Sequence, residues 1–171
     1  MEASFVLYQL QPYYKNFNKR LVKSPKIYFY DTGLACSLLN IKSPDMLRTH
    51  YLYGSLFENF VINEVIKMQE HAGQKPTVYY WRDNNGVEID CIVEDLTGKI
   101  HAIEIKGGAT INSDYLKNLK LFPLKGDKVS KKVIYTGNEI ISMSDVDIIG
   151  YNSLKNTIKD IFLFNSVYVR S

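Results

Sequence analysis

Apolar and polar positions alternate over residues 87–93 with a period of two: Val87, Ile89, Cys91 and Val93 fall on one side, Glu88, Asp90 and Ile92 on the other. That period predicts a β-strand, because successive side chains of an extended chain point to opposite faces. Residues 99–106 are apolar on both faces, with Ile103 and Ile105 on one and Ile100 and Ala102 on the other, beside Glu104 and Lys106. Such a run predicts a central strand covered on both sides. Asp95, Leu96, Thr97 and Gly98 between the two runs are turn formers, so a hairpin makes the strands neighbours. Upstream, Phe57, Phe60, Val61, Val65 and Met68 recur at helical spacing, and residues 54–70 read as a helix.

The flanks follow the same rules. Residues 5–10 and 26–30 read as strands joined by a basic loop, with Asp31 or Thr32 capping a short helix over 34–39. Ser43 as cap and Pro44 at the first helical position open another helix. Downstream, residues 113–121 predict a crossover helix with Tyr115, Leu116 and Leu119 buried, 132–136 a strand, 146–151 an edge strand and 152–162 a last helix. The tail over 162–169 is unusually apolar and suggests a strand or an association surface, which a homodimer would use.

With 46% hydrophobic and 23% charged residues among 171, the chain has the composition of a globular domain with one full core. No apolar run is long enough to span a bilayer and the start lacks a secretory pattern, so a cytoplasmic protein without membrane contact is expected. Cys36 and Cys91 have no partners at metal-ligand spacing and read as small apolar residues. His50, His71 and His101 form no ligand set, and His101 is expected at the surface.

The charged residues on the predicted strands call for partners. Glu88 and Asp90 share a face of one strand, Glu104 and Lys106 a face of the next, and burying such groups is costly unless they are paired or bound to metal. Carboxylates and an ammonium converging on one spot suit a divalent cation held against a phosphodiester. Glu58 has Val61, Ile62 and Val65 as helical neighbours and Gly54 one turn back, which takes it off the solvated face. A buried Arg such as Arg82 is its alternative, purely structural partner. The net charge is only +3, but Lys15, Lys19, Arg20, Lys23 and Lys26 are interleaved with Tyr13, Tyr14, Phe17 and Tyr28. Together with Arg82 they form a candidate surface for a nucleic-acid backbone. Lys117, Lys120, Lys125, Lys128, Lys131 and Lys132 read as solvated lysines.

Glu58 on a helix, then Gly86-Val87-Glu88-Ile89-Asp90, then Ile103-Glu104-Ile105-Lys106 resembles the PD-(D/E)XK nuclease superfamily. Tyr79-Tyr80-Trp81-Arg82 and the stretch from Lys23 through Ser24, Pro25, Lys26 and Ile27 to Leu34 narrow the likeness. Together they are similar to the uncharacterised C-terminal domain that follows an AAA-type ATPase module in bacterial and archaeal proteins. The resemblance implies an α/β fold: a restriction-endonuclease-like αβββαβ core, with a mixed central sheet flanked by helices, over residues 43–171. Residues 1–42 would be a strand-loop-strand-helix appendage left from a winged-helix-like region. It further implies Mg²⁺ or Mn²⁺ held by Asp90, Glu104 and the backbone carbonyl of Ile105, with Glu58 joining directly or through water. Lys106 would orient the attacking water and offset charge on the phosphate. Ile89 stands where the superfamily's Pro would precede Asp90. No phosphate-binding Gly-x-x-x-x-Gly-Lys-Ser/Thr loop occurs, so the ATPase module is expected on a partner or a longer parent chain.

Two functions follow as expectations: a metal-dependent nuclease, or a catalytically silent recognition or oligomerisation module serving an ATPase. On the first, alanine at Asp90, Glu104 or Lys106 is expected to abolish cutting without loss of stability.

Overall fold

The computed structural model describes residues 5–14, 24–143 and 145–163. Strands β1 (Leu7–Leu10) and β2 (Lys26–Phe29) pair antiparallel, with Tyr8 opposite Tyr28. Helix α1 (Thr32–Leu38) starts on Asp31, whose carboxylate accepts the Gly33 and Leu34 N–H groups. Helix α2 (Pro44–Thr49) starts on Ser43, whose hydroxyl accepts the Met46 N–H. Both caps stand where the sequence predicts them. The long helix α3 (Tyr53–His71) follows, then β3 (Val78–Arg82), β4 (Glu88–Glu94) and β5 (Ile100–Lys106). A 3₁₀ turn (Ser113–Leu116) leads into α4 (Lys117–Leu121), and β6 (Val129–Tyr135), β7 (Ile140–Ser142), β8 (Asp147–Gly150) and α5 (Leu154–Leu163) complete the described chain.

Six strands form one mixed sheet in the order β3-β4-β5-β6-β8-β7. The first three run as an antiparallel meander, β5, β6 and β8 are parallel, and β7 runs antiparallel to β8. One face packs on α3 and α5, where Phe57, Val61, Ile62, Val65, Ile158 and Phe162 meet Cys91, Val93, Ile103 and Ile105. On the other, Leu119 and Phe122 cover Ile92, Ile100, Ala102, Val133 and Ile148. The two-sided pattern of β5 is thus realised as expected, in a strand buried by helices on both faces.

Three expectations need correction. The strand over 147–150 is internal, between β6 and β7, and its Ile148 is fully buried. The edge belongs to β7, whose three residues are too few to show a period. Phe162 is buried on α5, and residues 164–171, where the apolar association surface was expected, lie outside the described residues. The alternation in β4 also fails at one place. Tyr79 pairs with Ile92 and Trp81 with Ile89, so Asp90 and Cys91 together oppose Tyr80. This extra residue is a β-bulge, and it turns Ile89 toward one core and Cys91 toward the other.

The N-terminal hairpin is clamped onto α3. Buried Asn59 exchanges two hydrogen bonds with the Phe29 backbone (2.9 and 2.8 Å), and Asn63 accepts from the Tyr8 hydroxyl (2.7 Å) while donating to the Phe29 and Tyr30 carbonyls. At the other end of β5, Gly107 lies so near α3 that a Cβ there would come within 2.8 Å of the Gly54 Cα. Two glycines back to back bring the first turn of α3 against the end of β5, which sets Glu58 near the strand ends. Among the described residues no helix is long and apolar enough to cross a membrane.

Candidate functional site

The β4–β5 ladder pairs Cys91 with Ile103 through Glu94 with Ile100. Further toward the site, the Ile105 N–H is taken by the Asp90 side chain, Oδ2 at 2.8 Å. The bulge therefore does local work: it frees a carboxylate to stand in for a backbone acceptor where the strands separate. Beside it Glu104 is 1% exposed. Its Oε2 accepts from Lys106 Nζ at 2.5 Å, and its buried Oε1 has no partner. Lys106 Nζ also stands 3.7 Å from Asp90 Oδ2, so one ammonium serves two carboxylates.

The electrostatics follow from that shortage of positive charge. Burial and the neighbouring Glu104 push the Asp90 carboxyl up to about 7, against the pull of Lys106, the Ile105 N–H and Lys26. Burial alone would lower Lys106, but Asp90 and Glu104 outweigh it and hold the ammonium above its ordinary value.

A second group adjoins the first. Lys26 Nζ lies 2.8 Å from Glu58 Oε1 and also pairs with Glu88 Oε1. The Tyr28 hydroxyl donates to the same Glu58 oxygen at 2.5 Å. Arg82 reaches Glu88 Oε2 through Nε and Nη2. Burial and the Glu58 charge raise the Tyr28 phenol, so it stays protonated and remains a donor. For Lys26, burial is outweighed by Glu58, Glu88 and Asp90, and the side chain stays charged. The two groups feel each other, since Lys26 acts on Asp90 and Glu58 on Lys106.

Asp90, Glu104 and Lys106 are therefore brought together as expected. Glu58 is near but committed to Lys26 and Tyr28, and the structural partner Arg82 goes to Glu88 instead. Among the described residues, no three His, Cys, Asp or Glu side chains are grouped so as to hold a metal ion. An ion here would rest on Asp90, Glu104 and the Ile105 carbonyl. Glu104 Oε1, a buried acceptor with nothing to accept, fits a cation, and so does an Asp90 carboxyl raised by its neighbour. Of the expected nucleic-acid contacts, Lys15, Lys19, Arg20 and Lys23 lie outside the described residues, while Lys26 and Arg82 are drawn into ion pairs with the acids. Lys131 and Lys132, expected to be solvated, stand on β6 with side chains only 11% and 14% exposed and pair with Asp145 and Asp147. Tyr28 was not singled out for the site by sequence. Its signal was parity, since Lys26 and Tyr28 are two apart on one strand face. His101, expected at the surface, is 6% exposed and sits 3.0 Å from Asp95.

Residues 53–154 match a family model described as Domain of unknown function (DUF4143), and residues 1–45 match Domain of unknown function (DUF8612). The uncharacterised protein Rv2008c of Mycobacterium tuberculosis is 32% identical over 142 residues, covering 83% of this chain and 31% of that protein. The uncharacterised protein Mb2031c of Mycobacterium bovis matches with the same figures. The chain thus spans less than a third of the length of these curated relatives. No solved structure matches it.

Proposed function

The chain belongs to the DUF4143 family, a domain found after AAA-type ATPase modules in some proteins, and we propose that it is a divalent-cation-dependent phosphodiesterase acting on nucleic acid. The reading places the site on a restriction-endonuclease-like core, which the helix-strand-strand-strand-helix-strand order from α3 to β6 supports. One observation carries it: the buried, unpartnered Glu104 Oε1 beside Asp90, two acids sharing the single Lys106 ammonium.

A bound Mg²⁺ or Mn²⁺ would polarise a phosphoryl oxygen and make a coordinated water more acidic. Asp90, Glu104 and the Ile105 carbonyl would hold it. The Ile105 N–H fixes the rotamer of Asp90, so that carboxylate is oriented before any ligand arrives. Lys106, kept charged between the acids, would offset the charge that develops on the phosphate.

A second reading, a catalytically silent module serving an ATPase, draws on the engagement of Glu58 by Lys26 and Tyr28 and of Glu88 by Lys26 and Arg82, which among the described residues of the site leaves Asp90 and Glu104 for an ion. The experiment that separates them is incubation of the chain with single- and double-stranded DNA and RNA in Mg²⁺ or Mn²⁺, beside Glu104→Gln. Metal-dependent cutting lost in the variant supports the enzyme. No cutting of any substrate, with no metal effect on melting, supports the silent module.

A further inference from the structure

Lys26 belongs to the N-terminal hairpin, yet its ammonium touches Glu58 from α3 and Glu88 from β4. Two carboxylates facing each other across a small positive charge is the arrangement a second divalent ion would require, and here the charge is supplied by the chain. We infer that Lys26 is a resident substitute for a cation between Glu58 and Glu88, so that the site takes one divalent ion, on the Asp90 and Glu104 side, and not two. The inference deepens the cation-dependent reading and rests on it for that first ion.

Three observations fix the strand that carries the ammonium. The strand carrying it is pinned two and three residues on, where the Tyr28 hydroxyl bonds Glu58 and the Phe29 backbone is clamped by Asn59 and Asn63. Two residues back, the Ser24 carbonyl accepts from the Tyr80 hydroxyl at 2.7 Å. Across the hairpin, Lys26 pairs with the buried Leu10. The backbone of the lysine therefore has little freedom to withdraw, and its side chain, only 21% exposed between two carboxylates, is less screened than that of a surface lysine. Glu58 Oε1 already carries two donors, whereas Glu104 has an oxygen with none. The acids thus divide into a pair satisfied by the chain and a pair left short. The hairpin lies within the region that matches one family model and Glu58 and Glu88 within the other, so the first segment completes the charge balance of the second.

Titrating Mn²⁺ into the chain by calorimetry reads the number of ions directly. One ion per wild-type chain is expected, two for Lys26→Met, which keeps the aliphatic stem, and one again for Lys26→Met/Glu58→Gln. Glu58→Gln alone should leave the wild-type ion affinity within about twofold, whereas loss of a true ligand or its support costs about tenfold or more. Lys26→Gln serves as a second variant, with circular dichroism to check folding. If neither Lys26 variant folds, the Glu58→Gln arm decides. Two ions on the wild type, an unchanged single ion on the folded Lys26 variants, or a tenfold loss with Glu58→Gln would each overturn the inference. A wild type that binds no Mn²⁺ removes the Asp90 and Glu104 site alone. In that event an ion gained by Lys26→Met still supports the substitution, and no gain refutes it.

Discussion

Two aspartates five residues apart sit at opposite ends of the β4–β5 pair and meet opposite fates. Asp95, in the turn, accepts from the Thr97 N–H (2.8 Å), the Thr97 hydroxyl (2.6 Å) and the Lys99 N–H (3.0 Å), while its other oxygen faces His101 Nε2 at 3.0 Å. Burial alone would raise its carboxyl, but these donors hold it below the usual carboxylate value. Asp90 has one backbone donor and an ammonium at 3.7 Å, with Glu104 pressing on it, and its carboxyl rises to about 7. Both side chains expose little surface, but Asp90 lies deeper among protein atoms and beside a second acid. For Asp95 the filled acceptors outweigh burial, and for Asp90 one N–H and a shared ammonium do not.

Lys106 is where the shortage of donors around the two acids is most costly to deepen. Glu104 is 1% exposed and this ammonium is its hydrogen-bond partner, so Lys106→Met leaves an uncompensated buried charge. A loss of about 3–5 kcal/mol in urea unfolding at pH 7 is expected, with most of it regained in Lys106→Met/Glu104→Gln. This revises the sequence-based expectation that removing Lys106 leaves stability unchanged. A loss below about 1 kcal/mol would mean that Glu104 finds another donor.

Next in size is Asp95→Ala at the other end. It strips the acceptor from two backbone N–H groups, the Thr97 hydroxyl and His101, and about 2–4 kcal/mol of stability should go with it. Mn²⁺ should bind this variant as it binds wild type, which would mark the turn as scaffold alone.

How far these differences were legible follows from their range. Periods of two and of 3.6 located α3, β4 and β5, and the caps Asp31 and Ser43 were readable because their partners lie two or three residues away. The convergence of Asp90, Glu104 and Lys106 was readable because a short hairpin leaves little choice of register. The bulge at Asp90 and Cys91 was not, since it is set by pairing with β3 rather than by the β4 sequence. Neither was the pairing of Glu58, because Lys26 reaches it across 32 residues and only packing of the hairpin on α3 brings them together. His101 hid for the same reason: its partner is near, but its burial is imposed by strands on both sides.

The smallest expected effect has the most informative pH dependence. Asp90 has a folded value of about 7 against an ordinary 3.8, so the folded protein binds its proton more tightly. Its contribution to stability is full below about pH 4 and is lost as pH rises to about 7. Asp95 and His101 run the other way. The folded state prefers Asp95 ionised and His101 neutral, so their contributions are present at neutral pH and fade as pH falls, for His101 from its ordinary 6.5 downward. Asp90→Asn keeps an oxygen for the Ile105 N–H and removes the repulsion from Glu104. At pH 8 it should be more stable than wild type by on the order of 1 kcal/mol, and the difference should close toward pH 5 as the wild-type carboxyl takes up its proton. Urea unfolding of both proteins across that range reads the difference. A constant difference, or a variant less stable at pH 8, would show that Asp90 is satisfied like Asp95 and not held in reserve for a cation.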